Sequence, residues 1–209
     1  MTLPSGFSYV DDPRMIQSVD YATAHNFMGR PVVGYTRQCC ILSHEAIKAL
    51  IAVQDELDTH KKGYSLKLFD CYRPKMAVAD FEDWSKDPQD LKGKAHYYPD
   101  FEKPELFKIG YIGSVSSHSR GSTVDLTIAV RDSKDPTQHT ELDMGTPFDF
   151  FGEKSNTDSK KVSEIAQRNR MLLKGLMEKH GFKNLELEWW HYELVNEPFP
   201  DTYFDFPVQ

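Results

Sequence analysis

The sequence holds 209 residues, with 25 Lys and Arg against 32 Asp and Glu for a net charge of −7 with neutral histidines. That length suits one domain, here residues 1–209, and a hydrophobic fraction of 39% with 27% charged residues is that of a globular chain with a buried core. There is no basic run, no apolar stretch of about 20 residues and no basic–apolar leader, so nucleic acid and membrane are not expected partners and the cytoplasm is the expected location.

The first clear element follows Ser43. In HEAIKALIAVQDEL, Ile47, Leu50, Ile51 and Leu57 recur at helical spacing, and Gly63 breaks the pattern. YSLKLFDCY then alternates Tyr64, Leu66 and Leu68 on one face, as a strand does. Pro74 suits the first turn of a second helix, KMAVADFEDW, so Arg73 stands at a strand-to-helix junction. Residues 86–110 are polar and proline-containing and read as a surface excursion. TVDLTIAV (123–130) sets Val124, Leu126, Ile128 and Val130 against Thr123, Asp125 and Thr127, a second strand. Residues 131–160 read as irregular. A helix is expected over 160–180, with Ile165, Leu172, Leu173, Leu176 and Met177 on one face and Gly181 as its stop. The aromatic run LEWWHYEL favours strand. Mixed strands and helices without a βαβ rhythm point to an α+β fold, a central antiparallel sheet flanked by helices.

Cys39, Cys40 and Cys71 are odd in number and two are adjacent. They read as buried thiols in a reducing compartment, not as a disulfide framework, and a C-C pair lacks the gap usual in structural zinc sites.

The chemistry gathers around five polar residues. His118 lies in a Ser/Gly-rich turn, SSHSRGS, that Gly121 lets reverse towards Asp125. Alone, such a histidine is most simply solvated. An aspartate in an apolar strand is harder to dismiss, because a half-buried carboxylate is costly unless paired or metal-bound. With His191 the set becomes two imidazoles and a carboxylate, the kind that leaves zinc an open fourth position. Glu188 would be the general base, which requires a bulge or strand end, since a flat strand points residues 188 and 191 to opposite faces. Arg73 would stabilise a developing oxyanion; its plainer reading is a salt bridge to Asp70. The helical H-E-x-x-H pattern is absent, so His44 reads as surface.

The stretches YATAHNFMGRPVVGY, DCYRPKMAV, SSHSRGSTVDLTI, MGTPFDF, LEWWHY and YFDFPV together resemble the VanX-type D-alanyl-D-alanine dipeptidases. These belong to a wider zinc DD-peptidase group that shares its fold with the hedgehog signalling domain. The resemblance implies one zinc per chain held by His118, Asp125 and His191. It implies Glu188 as the proton-transferring residue, Arg73 as stabiliser of the intermediate, and Tyr21, Ser116 and Asp149 as the lining of the dipeptide pocket. A carboxylate at Asp149 would match a free substrate ammonium; its plainer reading is a turn-forming aspartate. The implied setting is cell-wall precursor metabolism, either glycopeptide resistance or dipeptide recycling. Residues 131–143 and 151–160 are expected to flank the pocket mouth, and YFDFPV to dock on this chain or on a second copy in a homo-oligomer.

Overall fold

The computed structural model describes residues 2–61, 63–135 and 137–209. In chain order the strands are β1 (Phe7–Tyr9), β2 (Ile16–Gln17), β3 (Ile41–Ser43), β4 (Tyr64–Asp70), β5 (Thr123–Arg131), β6 (His139–Glu141), β7 (Phe182–Asn184) and β8 (His191–Leu194). The helices are α1 (His44–His60), α2 (Lys75–Ser85), α3 (Lys94–Tyr97), α4 (Lys103–Ile109) and α5 (Glu164–Lys179). The two strands expected from alternation, β4 and β5, pair antiparallel at the centre of a sheet ordered β2-β4-β5-β8-β7, with β6 also on β5. Among the described residues of this sheet, only the short edge pair β2–β4 is parallel. β1 and β3 form a separate antiparallel pair.

Ser43 caps α1 as its position suggests, its Oγ accepting from the Ala46 N–H at 3.2 Å. The helix buries Ala46, Leu50, Val53 and Leu57 and packs on β3, β4 and α5. Ser163 caps α5 in the same way. That helix buries Leu173, Leu176 and Met177, but Ile165, placed on the same face by the sequence, is 56% exposed one turn too early.

Two stretches are more ordered than expected. Residues 86–110 carry α3 and α4, and Tyr98, Lys103 and Leu106 from this region are buried. Lys103 is held by the carbonyls of Trp84 and Asp87 at 2.9 and 2.7 Å, which hides its polarity from a hydropathy reading. The described residues of 131–143 supply β6 on the far end of β5 from Asp125, and none of them lines the pocket.

The cysteine expectation is corrected. Cys40, just before β3, and Cys71, just after β4, are joined in a disulfide with Cα atoms 5.3 Å apart, and only Cys39 is a free buried thiol. Cysteine usage therefore lends no support to a reducing compartment. No helix among the described residues is long and apolar enough to cross a membrane. The segment YFDFPV docks on this chain's own body: Phe206 stacks on Tyr72 with centroids 4.0 Å apart, and Val208 bridges to Tyr35.

Candidate active site and metal centre

Strand register places the site. Asp125 on β5 lies opposite His191 on β8 and, past an irregularity after Leu68, opposite Asp70 on β4. Residue 191 opens β8, so Glu188 sits in the preceding turn, whose Glu188 carbonyl accepts from the His191 N–H at 3.3 Å. The strand end that the metal reading requires is present. The expectation of strand through LEWW is not met: these residues turn, burying both Trp189 and Trp190, because their large rings fill the core without needing strand pairing.

His118 arrives on a single 3-10 turn, Ser117–Arg120, between α4 and β5. Ser116 caps that turn, its Oγ accepting from the His118 N–H at 3.3 Å. Gly121 ends it at φ 85, and a Cβ there would meet the Phe7 ring at 2.1 Å, so only glycine lets the turn close.

The His118 ring is aimed by its Nδ1, which donates to the Cys71 carbonyl at 2.6 Å. Because a carbonyl only accepts, Nε2 is left with a lone pair facing the cluster. That atom lies 3.3 Å from His191 Nδ1 and 3.3 Å from Asp125 Oδ2, while Asp125 Oδ1 lies 3.0 Å from His191 Nδ1. All the candidate ligand atoms fall within 4.8 Å of one another. Two ring nitrogens that face each other and a carboxylate, buried together, share at most a proton or two between them. A divalent metal ion fits this donor set, satisfying all three at once.

Around the cluster the charges are arranged in opposition. Burial disfavours the Asp125 carboxylate, yet His118 and His191 hold it well below the usual range. Burial, reinforced by the charge of Asp125, pushes Glu188 up to about 8. Its Oε2 is 3.6 Å from His191 Nδ1. Burial works against the charge of Arg73, but Asp70 and its neighbours raise its pKa further, so it stays a cation. The salt bridge of Arg73 to Asp70 is present, and the same guanidinium also faces the cluster. Its Nε donates to Asp70 Oδ2 at 2.9 Å, and its Nη2 reaches Asp125 Oδ2 at 3.4 Å. The guanidinium lies over the rings of Tyr21 and Phe81, 5.3 and 5.2 Å from their centroids.

On the other side of the cavity, Tyr21 donates its hydroxyl to Asp149 Oδ2 at 2.8 Å. Asp149 is buried and has φ 60, the one non-glycine with positive φ among the described residues. Burial and the charge of Asp125 push its carboxyl well above the ordinary range. The cavity between these groups holds about 250 Å³ and is walled by Phe27, Phe81, Tyr111, Phe151 and Trp190. Ser116 lines it as well. Every candidate site residue named from the sequence thus faces one cavity; His44, expected at the surface, is exposed.

Sequence reasoning did not assign Tyr35, Phe81 or the Cys71 carbonyl. Tyr35 donates to Asp70 Oδ1 at 2.7 Å and so fixes the acid that fixes Arg73. Phe81 was within reach, since Ala77, Val78, Phe81 and Trp84 form one face of α2; a main-chain carbonyl leaves no residue-type signal.

With this geometry in place, comparison with known families is decisive. Residues 12–209 match the peptidase M15 family, described as D-ala-D-ala dipeptidase. The chain belongs to the peptidase M15 family. It is 41% identical to the D-alanyl-D-alanine dipeptidase of Enterococcus faecalis, over 99% of this chain and 100% of that protein. It is 39% identical to the Enterococcus faecium protein of the same name, over 98% of each chain. Another relative, the D-alanyl-D-alanine dipeptidase of Escherichia coli, is 34% identical over 87% of this chain and 80% of its own.

Proposed function

We propose that this protein is a zinc-dependent dipeptidase that hydrolyses D-Ala-D-Ala to two D-alanines. The observation that carries the reading is the convergence of His118 Nε2, Asp125 and His191 Nδ1 on one point, with Glu188 and Arg73 facing it. The relatives named D-alanyl-D-alanine dipeptidase support the substrate.

His118, Asp125 and His191 would hold zinc, which when bound supplies a Lewis acid and an acidified water. The Glu188 carboxylate takes the proton from the attacking water and later delivers it to the departing amine nitrogen. A buried carboxylate whose affinity for a proton is raised suits both halves of that task. Arg73 meets the negative charge that develops on the scissile carbonyl oxygen, and Asp70 keeps its guanidinium from swinging away. Asp149, shared with the Tyr21 hydroxyl, receives the substrate ammonium, whose positive charge restores the ionised carboxylate that burial disfavours. Ser116 contributes to the wall nearest His118. A cavity of about 250 Å³ is at or below the ~300–1,000 Å³ range of ligand pockets and suits two small residues.

The test is metal analysis joined to an amine-release assay on D-Ala-D-Ala and on its N-acetylated form. One zinc per chain, loss of activity on chelation with recovery on zinc addition, and cleavage of the free dipeptide alone are expected. Comparable cleavage of a pentapeptide ending in D-Ala-D-Ala would make it a D,D-carboxypeptidase instead. Zinc without hydrolysis would make it a binding domain. Glu188→Ala is expected to retain zinc and lose about 10²–10⁴-fold in kcat.

A further inference from the structure

Arg170 lies on α5, outside the cavity described above, yet it is fully buried. Its three nitrogens each donate to a main-chain carbonyl of one loop: Nε to Met144 at 2.7 Å, Nη1 to Asn156 at 2.8 Å and Nη2 to Lys154 at 2.9 Å. These carbonyls sit at the two ends of the segment 144–156, so a single guanidinium clasps both. The segment between them carries Asp149. Burial pulls the arginine down to about 10 against the opposing charge of Asp143, and its direct hydrogen-bond partners are carbonyl dipoles where a carboxylate is usual.

Other contacts close the same clasp. The guanidinium lies 6.0 Å from the centroid of the Trp189 ring, and the indole Nε1 donates to Thr146 Oγ1 at 2.8 Å. The Trp189 N–H donates to the Ser155 carbonyl at 3.0 Å. The loop is thereby joined to the turn that bears Glu188, whose next residue is Trp189. A fixed loop is needed there, because Asp149 is held at φ 60 and a non-glycine residue keeps that conformation only when its surroundings impose it.

From this geometry we infer that Arg170 is a positioning residue for substrate recognition: it clasps the 144–156 loop so that Asp149 meets the free ammonium of the dipeptide. The inference rests on the dipeptidase reading for the identity of the substrate, but not for the clasp. Lysine at 170 keeps the charge and most of the stem and can satisfy at most part of the three-carbonyl fork; glutamine removes the charge.

The experiment uses the full-length, zinc-loaded protein with Arg170→Lys and Arg170→Gln, and first establishes that the parent cleaves D-Ala-D-Ala. Steady-state kinetics on the free and N-acetylated dipeptides are combined with zinc content and with hydrogen exchange of the loop. Both variants are expected to bind zinc normally and to exchange the Phe151 amide, which donates to the Tyr97 carbonyl at 2.7 Å, at least tenfold faster while β5 is unchanged. KM for the free dipeptide is expected to rise about tenfold or more with a much smaller change in kcat, and the preference for free over acetylated substrate to shrink. Arg170→Lys should lie between the parent and Arg170→Gln. An unchanged KM in a folded variant, an equal fall in kcat with KM constant, or faster exchange throughout the molecule would overturn the inference. Failure of both variants to fold would also overturn it, because Arg170 would then support the whole domain and not one loop. If the parent fails to cleave the dipeptide, the functional reading falls, and the exchange pattern alone still decides the clasp.

Discussion

Glu188 is enclosed, followed in sequence by two buried tryptophans, and its proton affinity rises to about 8 from an ordinary 4.5. Between those two pH values the folded, metal-free protein keeps a proton that the unfolded chain releases. Its stability therefore falls as pH rises through that window, by at most ~1.4 kcal/mol per pH unit from this group. Glu188→Gln removes the titration. Urea unfolding of the metal-free proteins is expected to give similar stabilities near pH 5 and a more stable variant, by a few kcal/mol, at pH 8. Identical pH slopes would show that Glu188 is ordinary. Arg73 offers a second residue-scale prediction. Arg73→Lys keeps a cation but loses the forked contact to Asp70 and Asp125. With zinc content unchanged, kcat is expected to fall by about 10²–10³-fold, the loss typical of a fixed oxyanion donor.

At the level of elements, the junction after β4 does more than join a strand to α2. Within four residues it presents Asp70, the Cys71 carbonyl that aims His118, the Tyr72 ring under the C-terminal tail, and Arg73. The Cys40–Cys71 disulfide ties this junction to the start of β3 across 31 residues of chain. Closing a loop of that size stabilises by roughly 3–4 kcal/mol in the chain-entropy picture. Cys40→Ser with Cys71→Ser is expected to lower the unfolding free energy by about that amount and to weaken zinc retention, measured by competition with a chelator. Unaltered retention would mean that strand pairing alone holds the His118 ring. The sequence did not reveal the pairing, because an adjacent C-C and an odd count carry no register, and residues 40 and 71 come side by side only through the tertiary meeting of the start of β3 with the end of β4, where the Tyr72 N–H donates to the Ile41 carbonyl at 2.9 Å.

Across the whole molecule, what the sequence disclosed was whatever has a period or a residue type of its own. The α1 cap, the apolar face of α5, the β4 and β5 alternation, and the two histidines with Asp125 and Glu188 belong to this class. The strand end before His191 followed from a conflict between period 2 and a spacing of three. Less legible were α3, α4 and β6, which are short and held by tertiary contacts, and the buried cations Lys103 and Arg170, whose partners are carbonyls. The tail shows how far the core reaches. Phe206, 9% exposed, stacks on Tyr72 and bonds to its hydroxyl through its own N–H at 2.8 Å. Phe206→Ala is expected to cost roughly 3 kcal/mol and to lower Tm by about 10 °C in a thermal melt. A shift within 2 °C would show that the tail is dispensable to the body.

Asp149 is doubly uncomfortable, left-handed in its backbone and bearing a carboxyl group that is buried. Asparagine tolerates that conformation, keeps an acceptor for the Tyr21 hydroxyl and has no charge to bury. Selecting this enzyme for heat resistance alone would therefore favour Asp149→Asn early, and the hardier protein so obtained would have traded for endurance the discrimination between free and blocked peptides proposed for that carboxylate.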